Sequence, residues 1–243
     1  MLAVEGLSVA YGGLAALREV SLEVRKGEFV AVVGPNGAGK TTLFNMLNGI
    51  VPPSAGAIRF EGRSLAGLRP SAVCALGIGR TFQMARAFAR MSILENVLVG
   101  AFVAHRDAAG AHDAALAAVA LVGLEDKAGA IAGDLTTRDL RLMELARALA
   151  GGPRLVLLDE PLAGLGASET EELIAVVRRL PAAGITVVII EHTMQAMVGL
   201  VDRFVVLDQG RLLAQGTPAE VTQRADVIEA YLGRKWAVAH AAG

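Results

Sequence analysis

An α/β fold with an all-helical insertion is what this sequence predicts, and three stretches carry the prediction. An apolar run, Phe29 to Val33, reads as a buried strand and passes through Gly34-Pro35-Asn36-Gly37-Ala38-Gly39-Lys40-Thr41-Thr42 into the helical pattern of Leu43 to Leu47. A second apolar strand, Leu155-Val156-Leu157-Leu158, ends in the two acids Asp159-Glu160. Between them, from Met84 to about Ala150, strand signals disappear and helical periodicity takes over.

Taken in order, Val4 to Val9 and Ala15 to Val24 carry β-branched, alternating residues with Tyr11-Gly12-Gly13 as the turn between them. After the glycine-rich loop and its helix, Pro52-Pro53-Ser54-Ala55-Gly56 reads as a loop and Ala57 to Phe60 as a short strand ending at Glu61-Gly62-Arg63. Pro70 to Leu76 predicts a short helix, and Ile78 to Phe82 a strand ending at Gln83. Ser92 to Val103 opens with a capping box, Ser92 and Glu95, and Ala111 to Val122 is an Ala-rich helix. Thr137 to Ala150 is a third helix. Strands return at Arg154 to Leu158, Ile185 to Ile190, Phe204 to Leu207 and Leu212 to Leu213. Ser168 to Leu180 is a helix with Glu169, Glu171 and Glu172 expected in its first turn, where the dipole favours them. Residues after Gly233, including Trp236, read as a loosely held tail.

Composition narrows the function classes. The chain has 243 residues, 53% of them hydrophobic, enough for a packed core. A net charge of -1 leaves no electrostatic footprint for nucleic acid, which is therefore not an expected partner. Mean hydropathy is high at +0.50, yet the apolar stretches break short of the ~18 residues that cross a bilayer. The N-terminus enters strand-like alternation directly, without the basic and apolar regions of a signal peptide. Cys74 is the one cysteine, so no internal disulfide forms, and it reads as a small packed side chain.

The glycine-rich loop has the composition and the flanks of a phosphate cradle. Its glycines let backbone N–H groups converge, the helix start adds the positive end of its dipole, Lys40 neutralises the β- and γ-phosphates, and the Thr41 hydroxyl can ligate Mg²⁺. Asp159 at its strand end can hold the same ion, while Glu160 beside it can orient and deprotonate an attacking water. His192 follows the apolar run Val187 to Ile190 and Glu191, placing it where a parallel sheet opens towards a ligand. Gln83 stands at the junction with the helical stretch, in reach of a metal. By position alone Tyr11 reads as an ordinary turn residue in preference to an aromatic that stacks on adenine, and His192 is as much structural as functional.

Together these residues resemble the ATP-binding subunit of ABC transporters over nearly the whole chain: GPNGAGKTT at 34 to 42, Gln83, LVLLDE at 155 to 160 and IIEH at 189 to 192, in the family's order. The resemblance implies a P-loop NTPase core, a RecA-like sheet plus an antiparallel β subdomain, with an inserted α-helical subdomain. On that reading 1–233 is one nucleotide-binding domain, with core 1–83 and 151–233, helical subdomain about 84–150, and a tail at 234–243. It implies that ATP and Mg²⁺ are bound by Gly34, Asn36, Gly37, Ala38, Gly39, Lys40, Thr41, Thr42 and Gln83, with Thr41, Gln83 and Asp159 around the metal. Tyr11 then matches the adenine-stacking position, His192 the switch histidine and Glu160 the catalytic base. Partners implied are integral membrane permease subunits and a second ATPase subunit, the same or different, packed head to tail at the cytoplasmic face of the inner membrane. The run Gly79 to Gln83, Leu94 to Gly100, Gln215 to Pro218 and Asp226 to Gly233 look like importers of branched-chain amino acids, a pattern shared with importers of urea or other amides and with the ATPase of lipopolysaccharide export.

Two motifs depart from the family. Its Leu-Ser-Gly-Gly-Gln signature is Leu135-Thr136-Thr137-Arg138-Asp139 here: Thr136 keeps the hydroxyl expected to meet a partner's nucleotide, but both glycines are lost. A charge at Asp139 costs an approaching phosphate about 2 kcal/mol at ~7 Å and an effective dielectric of ~20, and Arg138 can offset a similar amount. The Asp that ends the family's D-loop is Gly166. These departures raise a second reading, a nucleotide-binding regulatory subunit with weak hydrolysis. Soluble ABC ATPases of translation or repair carry a second cassette or a long coiled coil, which this sequence lacks. The apolar side chains of Met84, Ala87 and Phe88 suit a groove that would receive a membrane subunit's helix, and equally simple packing under a loop.

Overall fold

The computed structural model describes residues 1–83, 87–192 and 194–232. Met84 and the tail with Trp236 lie outside them. The chain divides into two compact units, 1–70 with 188–243, and 71–187.

The first unit holds an antiparallel sheet and the strands that aim the glycine-rich loop. β1 (Leu2–Tyr11), β2 (Leu14–Val24), β4 (Ala55–Phe60) and β5 (Arg63–Ser64) lie in the order β2-β1-β4-β5. Leu2, Val4, Leu7 and Val9 of β1 are buried with Leu17, Val20, Leu22 and Val24 of β2, and the register slips beside Gly6, whose φ is 56°. β3 (Phe29–Val33) is buried throughout and runs parallel to β9 (Arg203–Asp208), which pairs antiparallel with β10 (Arg211–Gly216). Their register is pinned at one end, where Phe29 N–H donates to Asp202 Oδ2 (2.8 Å) and Asp202 N–H donates to Phe29 O (2.8 Å). From β3 the chain turns through the loop into α1 (Lys40–Leu47), which buries Leu43, Phe44, Met46 and Leu47. After β10 come α8 (Pro218–Thr222), opened by a capping box of Thr217 and Glu220, and α9 (Ala225–Leu232); α7 (Met194–Met197) is a single turn.

The second unit is mostly helical. α2 (Pro70–Ala75) leads into β6 (Ile78–Arg80), which runs parallel to β7 (Leu155–Asp159) with Arg80 opposite Leu157. α3 (Ile93–Ala101), α4 (Ala108–Leu121) and α5 (Thr137–Ala150) pack through Ile93, Val97 and Ala101, through Ala111, Ala115 and Val119, and through Leu142, Leu145 and Leu149. Gly100 sets the approach of α3 to α5, since a Cβ there would lie 2.1 Å from Arg147 O. α6 (Ala167–Val177) follows β7, and β8 (Thr186–Ile190) carries the chain back to the first unit.

Several boundaries differ from the sequence reading. The strand expected to reach Phe82 ends at Arg80, because Phe82 N–H leaves the ladder for Glu144 Oε1 on α5 (3.1 Å). α4 starts three residues early, capped by Asp107, whose Oδ1 accepts from Gly110 N–H (2.7 Å). α6 ends at Val177, and of its acids Glu169 alone lies in the first turn, its carboxylate accepting from Gly166 N–H; Glu171 and Glu172 fall beyond it. β5, α7 and α8 are too short to carry a periodic signal.

Candidate functional site

The loop in the first unit is held open by main chain. Gly34 has φ 148°, and a Cβ on it would sit 2.1 Å from Leu207 O; Gly39, φ 103°, would place one 2.7 Å from both Ala16 O and Leu17 Cδ2. A Cβ on Gly37, φ 80°, would project into open space. Gly39 is also the N-cap of α1, which has no side-chain cap and no acid in its first turn, so the positive end of the dipole is left to an outside anion. Lys40 is 5% exposed, and its Nζ donates to Gly34 O (2.7 Å) and Pro35 O (3.0 Å). Asn36 and Thr41 are exposed, Thr42 is half-buried and Ala38 is buried, its carbonyl accepting from Gly210 N–H (3.1 Å). This donor set fits a polyphosphate: a backbone concavity, an uncapped helix start, one buried ammonium and a free-standing hydroxyl for a hard cation.

Three more residues belong to this unit. Tyr11, at the end of β1, is 50% exposed, so a ring face is available for stacking. His192 is exposed just after β8, beside buried Glu191. Sequence reasoning passed over Tyr231 on α9. Burial pushes its phenol up to about 12, while the backbone of Gly34, at the start of the loop, pulls it the other way.

The acids lie in the second unit. Asp159 and Glu160 are 2% and 6% exposed at the end of β7. Glu160 has φ 49°, a left-handed conformation that costs a side chain of its size ~1–2 kcal/mol. Gln83 Nε2 donates to Glu160 Oε2 (2.8 Å), so the two residues picked out separately are brought together. Arg80 Nη2 meets Asp159 Oδ2 at 2.8 Å, a pairing that sequence distance conceals.

Thr136 is the N-cap of α5, and its Oγ1 accepts from Asp139 N–H (3.2 Å). Asp139 is 2% exposed and receives Lys127 Nζ (2.6 Å) and Arg138 Nη1 (2.7 Å); Arg138 Nε also donates to Glu172 Oε2 (2.6 Å). Burial raises the Asp139 pKa, but the hydrogen bonds from Lys127 and Arg138 outweigh it and hold the group below the usual carboxylate range. Gly166 caps α6. Of the groove residues Phe88 is 50% exposed and Ala87 half-buried.

Comparison with known proteins decides what this loop and these acids belong to. The sequence model of the ABC transporter family matches residues 17–163, which span the loop, Gln83 and both acids. The chain belongs to the ABC transporter family. A second model, of the branched-chain amino acid ATP-binding cassette transporter, matches residues 211–237. The cassette is 41% identical to the high-affinity branched-chain amino acid transport ATP-binding protein LivG of Salmonella typhimurium, over 96% of this chain and 98% of that one. BraF of Pseudomonas aeruginosa, described in the same words, is 39% identical over the same shares. Among solved structures, the ADP conformation of MJ1267, an ATP-binding cassette of an ABC transporter, is similar with a TM-score of 0.87, 29% identity and coverage of 96% and 99%. The fold is therefore the P-loop cassette that the resemblance implied.

Proposed function

We propose that this cassette binds and hydrolyses ATP to drive import of branched-chain amino acids or related small amides. The carrying observation is that β10, α8 and α9 fall in the segment matched by the branched-chain transporter model, while the family model covers the loop and the acids. The loop residues Gly34 to Thr42 hold the phosphates, with Lys40 exchanging its two carbonyl contacts for phosphate oxygens, and Tyr11 stacks on adenine. Thr41, Gln83 and Asp159 would hold Mg²⁺, which would supply charge neutralisation for the phosphates when bound. Glu160 orients a water and takes its proton as the water oxygen bonds to the γ-phosphorus and ADP departs; His192 hydrogen-bonds the same phosphate. Residues from about 84 to 150 serve as a helical subdomain.

On this reading the cassette works as a head-to-tail pair on permease subunits at the cytoplasmic face of the membrane. Among the described residues no helix is long and apolar enough to cross a bilayer, which suits a peripheral subunit. Reconstitution with permease and binding subunits tests the cargo: ATP-dependent uptake of labelled leucine supports it, and uptake of urea with none of leucine overturns it. One observation favours an unequal pair: the start of α5 carries its own buried carboxylate, so Thr136 offers a partner's nucleotide a weak site. A purified homodimer hydrolysing ATP as fast as the assembled transporter would count against that inequality.

A further inference from the structure

Within the first unit, the carboxy-terminal segment braces the phosphate loop at three points. Leu207, near the end of β9, leaves Gly34 no room for a Cβ, which would lie 2.1 Å from its carbonyl oxygen. Gly210, in the turn to β10, donates its N–H to Ala38 O (3.1 Å). The third point comes from α9, which buries Val227 and carries Tyr231 near its end; the main chain that acts on the phenol oxygen is that of Gly34. That oxygen is buried, yet among the described residues it makes no hydrogen bond of good geometry. Buried hydroxyls are nearly always paired, so one left over beside the first residue of a binding loop calls for an explanation. Burial pushes the phenol up to about 12, so it keeps its proton and remains a donor at neutral pH.

Gly34 also holds the group that nucleotide draws away. It is buried, and its carbonyl accepts from Lys40 Nζ (2.7 Å). When Lys40 turns to phosphate oxygens, that carbonyl gives up a charged donor, a loss that opposes binding. Resting on the reading of the loop as a nucleotide site, we propose that Tyr231 is a positioning residue for nucleotide binding: its hydroxyl, idle in the empty loop, donates to the Gly34 carbonyl once Lys40 has left for phosphate. The empty loop then carries one unpaired hydroxyl and the loaded loop carries none, which favours the loaded state. Tyr231 lies in the segment 211–237 matched by the branched-chain transporter model and outside residues 17–163, so this latch is not part of the stretch that defines the family at large.

The test compares wild type, Tyr231→Phe, Lys40→Ala and the double variant, reading ADP affinity by calorimetric titration with Mg²⁺ and thermal unfolding of the full chain without nucleotide. Tyr231→Phe deletes the hydroxyl alone. ADP affinity is expected to fall about three- to tenfold, while the empty chain melts at or above the wild-type temperature because an unpaired buried hydroxyl has gone. In Lys40→Ala the Gly34 carbonyl lacks the ammonium from the start, so the hydroxyl is already engaged, and there Tyr231→Phe should lower Tm by about 2–4 °C. Unchanged ADP affinity in Tyr231→Phe overturns the proposal. So does a fall in Tm as large with Lys40 present as without it, which would leave Tyr231 a packing residue under the loop. If Lys40→Ala alone binds ADP as tightly as wild type, the reading of the loop fails and the proposal falls with it; a weakened Lys40→Ala beside an unaffected Tyr231→Phe overturns the proposal alone.

Discussion

Two helices of this cassette begin in opposite ways. α1 starts at a left-handed glycine with no side-chain cap and no acid, and the neighbouring ammonium of Lys40 is parked on loop carbonyls. α5 starts at a threonine that caps it, and it buries an aspartate between Lys127 and Arg138. Both ends carry the same helix dipole, about half a positive charge. The first is left for an anion from outside, whereas the second has taken one from its own sequence. A helix N-terminus is thus an anion site only where the chain withholds its own caps.

That contrast can be broken most severely at the loop. Lys40→Ala is expected to lower ATP affinity of the isolated chain about 100-fold, because a charge-assisted contact to phosphate is worth ~1.5–3 kcal/mol and the helix dipole alone is weaker. A fluorescent-nucleotide titration reads it, and a loss under threefold would mean that main chain suffices. Next is Gly34→Ala, whose Cβ would meet Leu207 O at 2.1 Å. Destabilisation of roughly 3 kcal/mol is expected, seen as a lower midpoint in urea with an unchanged slope.

At α5 the expected effects are smaller. Asp139→Asn should lower Tm by several degrees at neutral pH, with ATP affinity of the isolated chain unchanged. The pKa of Asp139 is depressed in the folded state, so its stabilisation is present above the unfolded value, near ~4, and is lost as pH falls through the folded value. The gap between variant and wild type should therefore begin to close only below about pH 4, and a gap that stays constant well below that pH, as far as the fold survives, would show that charge plays no part. Thr136→Ala removes a cap worth ~1 kcal/mol and should lower Tm by about 2–4 °C.

The same comparison explains what was legible. The loop is local: nine consecutive residues whose glycines, lysine and threonine act through their own backbone, so reading them in order was enough. Capping at Ser92 and the bounds of β3 and α5 are local too, and both were read from neighbours three or four residues apart. The acid end of β7 is built otherwise. Asp159 is paired with Arg80, 79 positions away, and Glu160 with Gln83, 77 away, partners that the β6–β7 pairing brings together across the intervening helices. Periodicity cannot show such pairs, nor that Phe82 leaves its strand for Glu144. At Asp139 the charge and the neighbouring cation of Arg138 are visible in sequence, but the burial and the pairing with Lys127 are not.

The central claim is that Glu160 performs hydrolysis on nucleotide held by the loop. Steady-state ATPase activity with Mg²⁺, measured on the chain assembled with its partner subunits beside Glu160→Gln, with nucleotide binding followed in parallel, tests it most directly. The account predicts binding within about threefold of wild type and turnover reduced ~100-fold or more, the scale of a lost general base. A Glu160→Gln variant that hydrolyses ATP at the wild-type rate would contradict it.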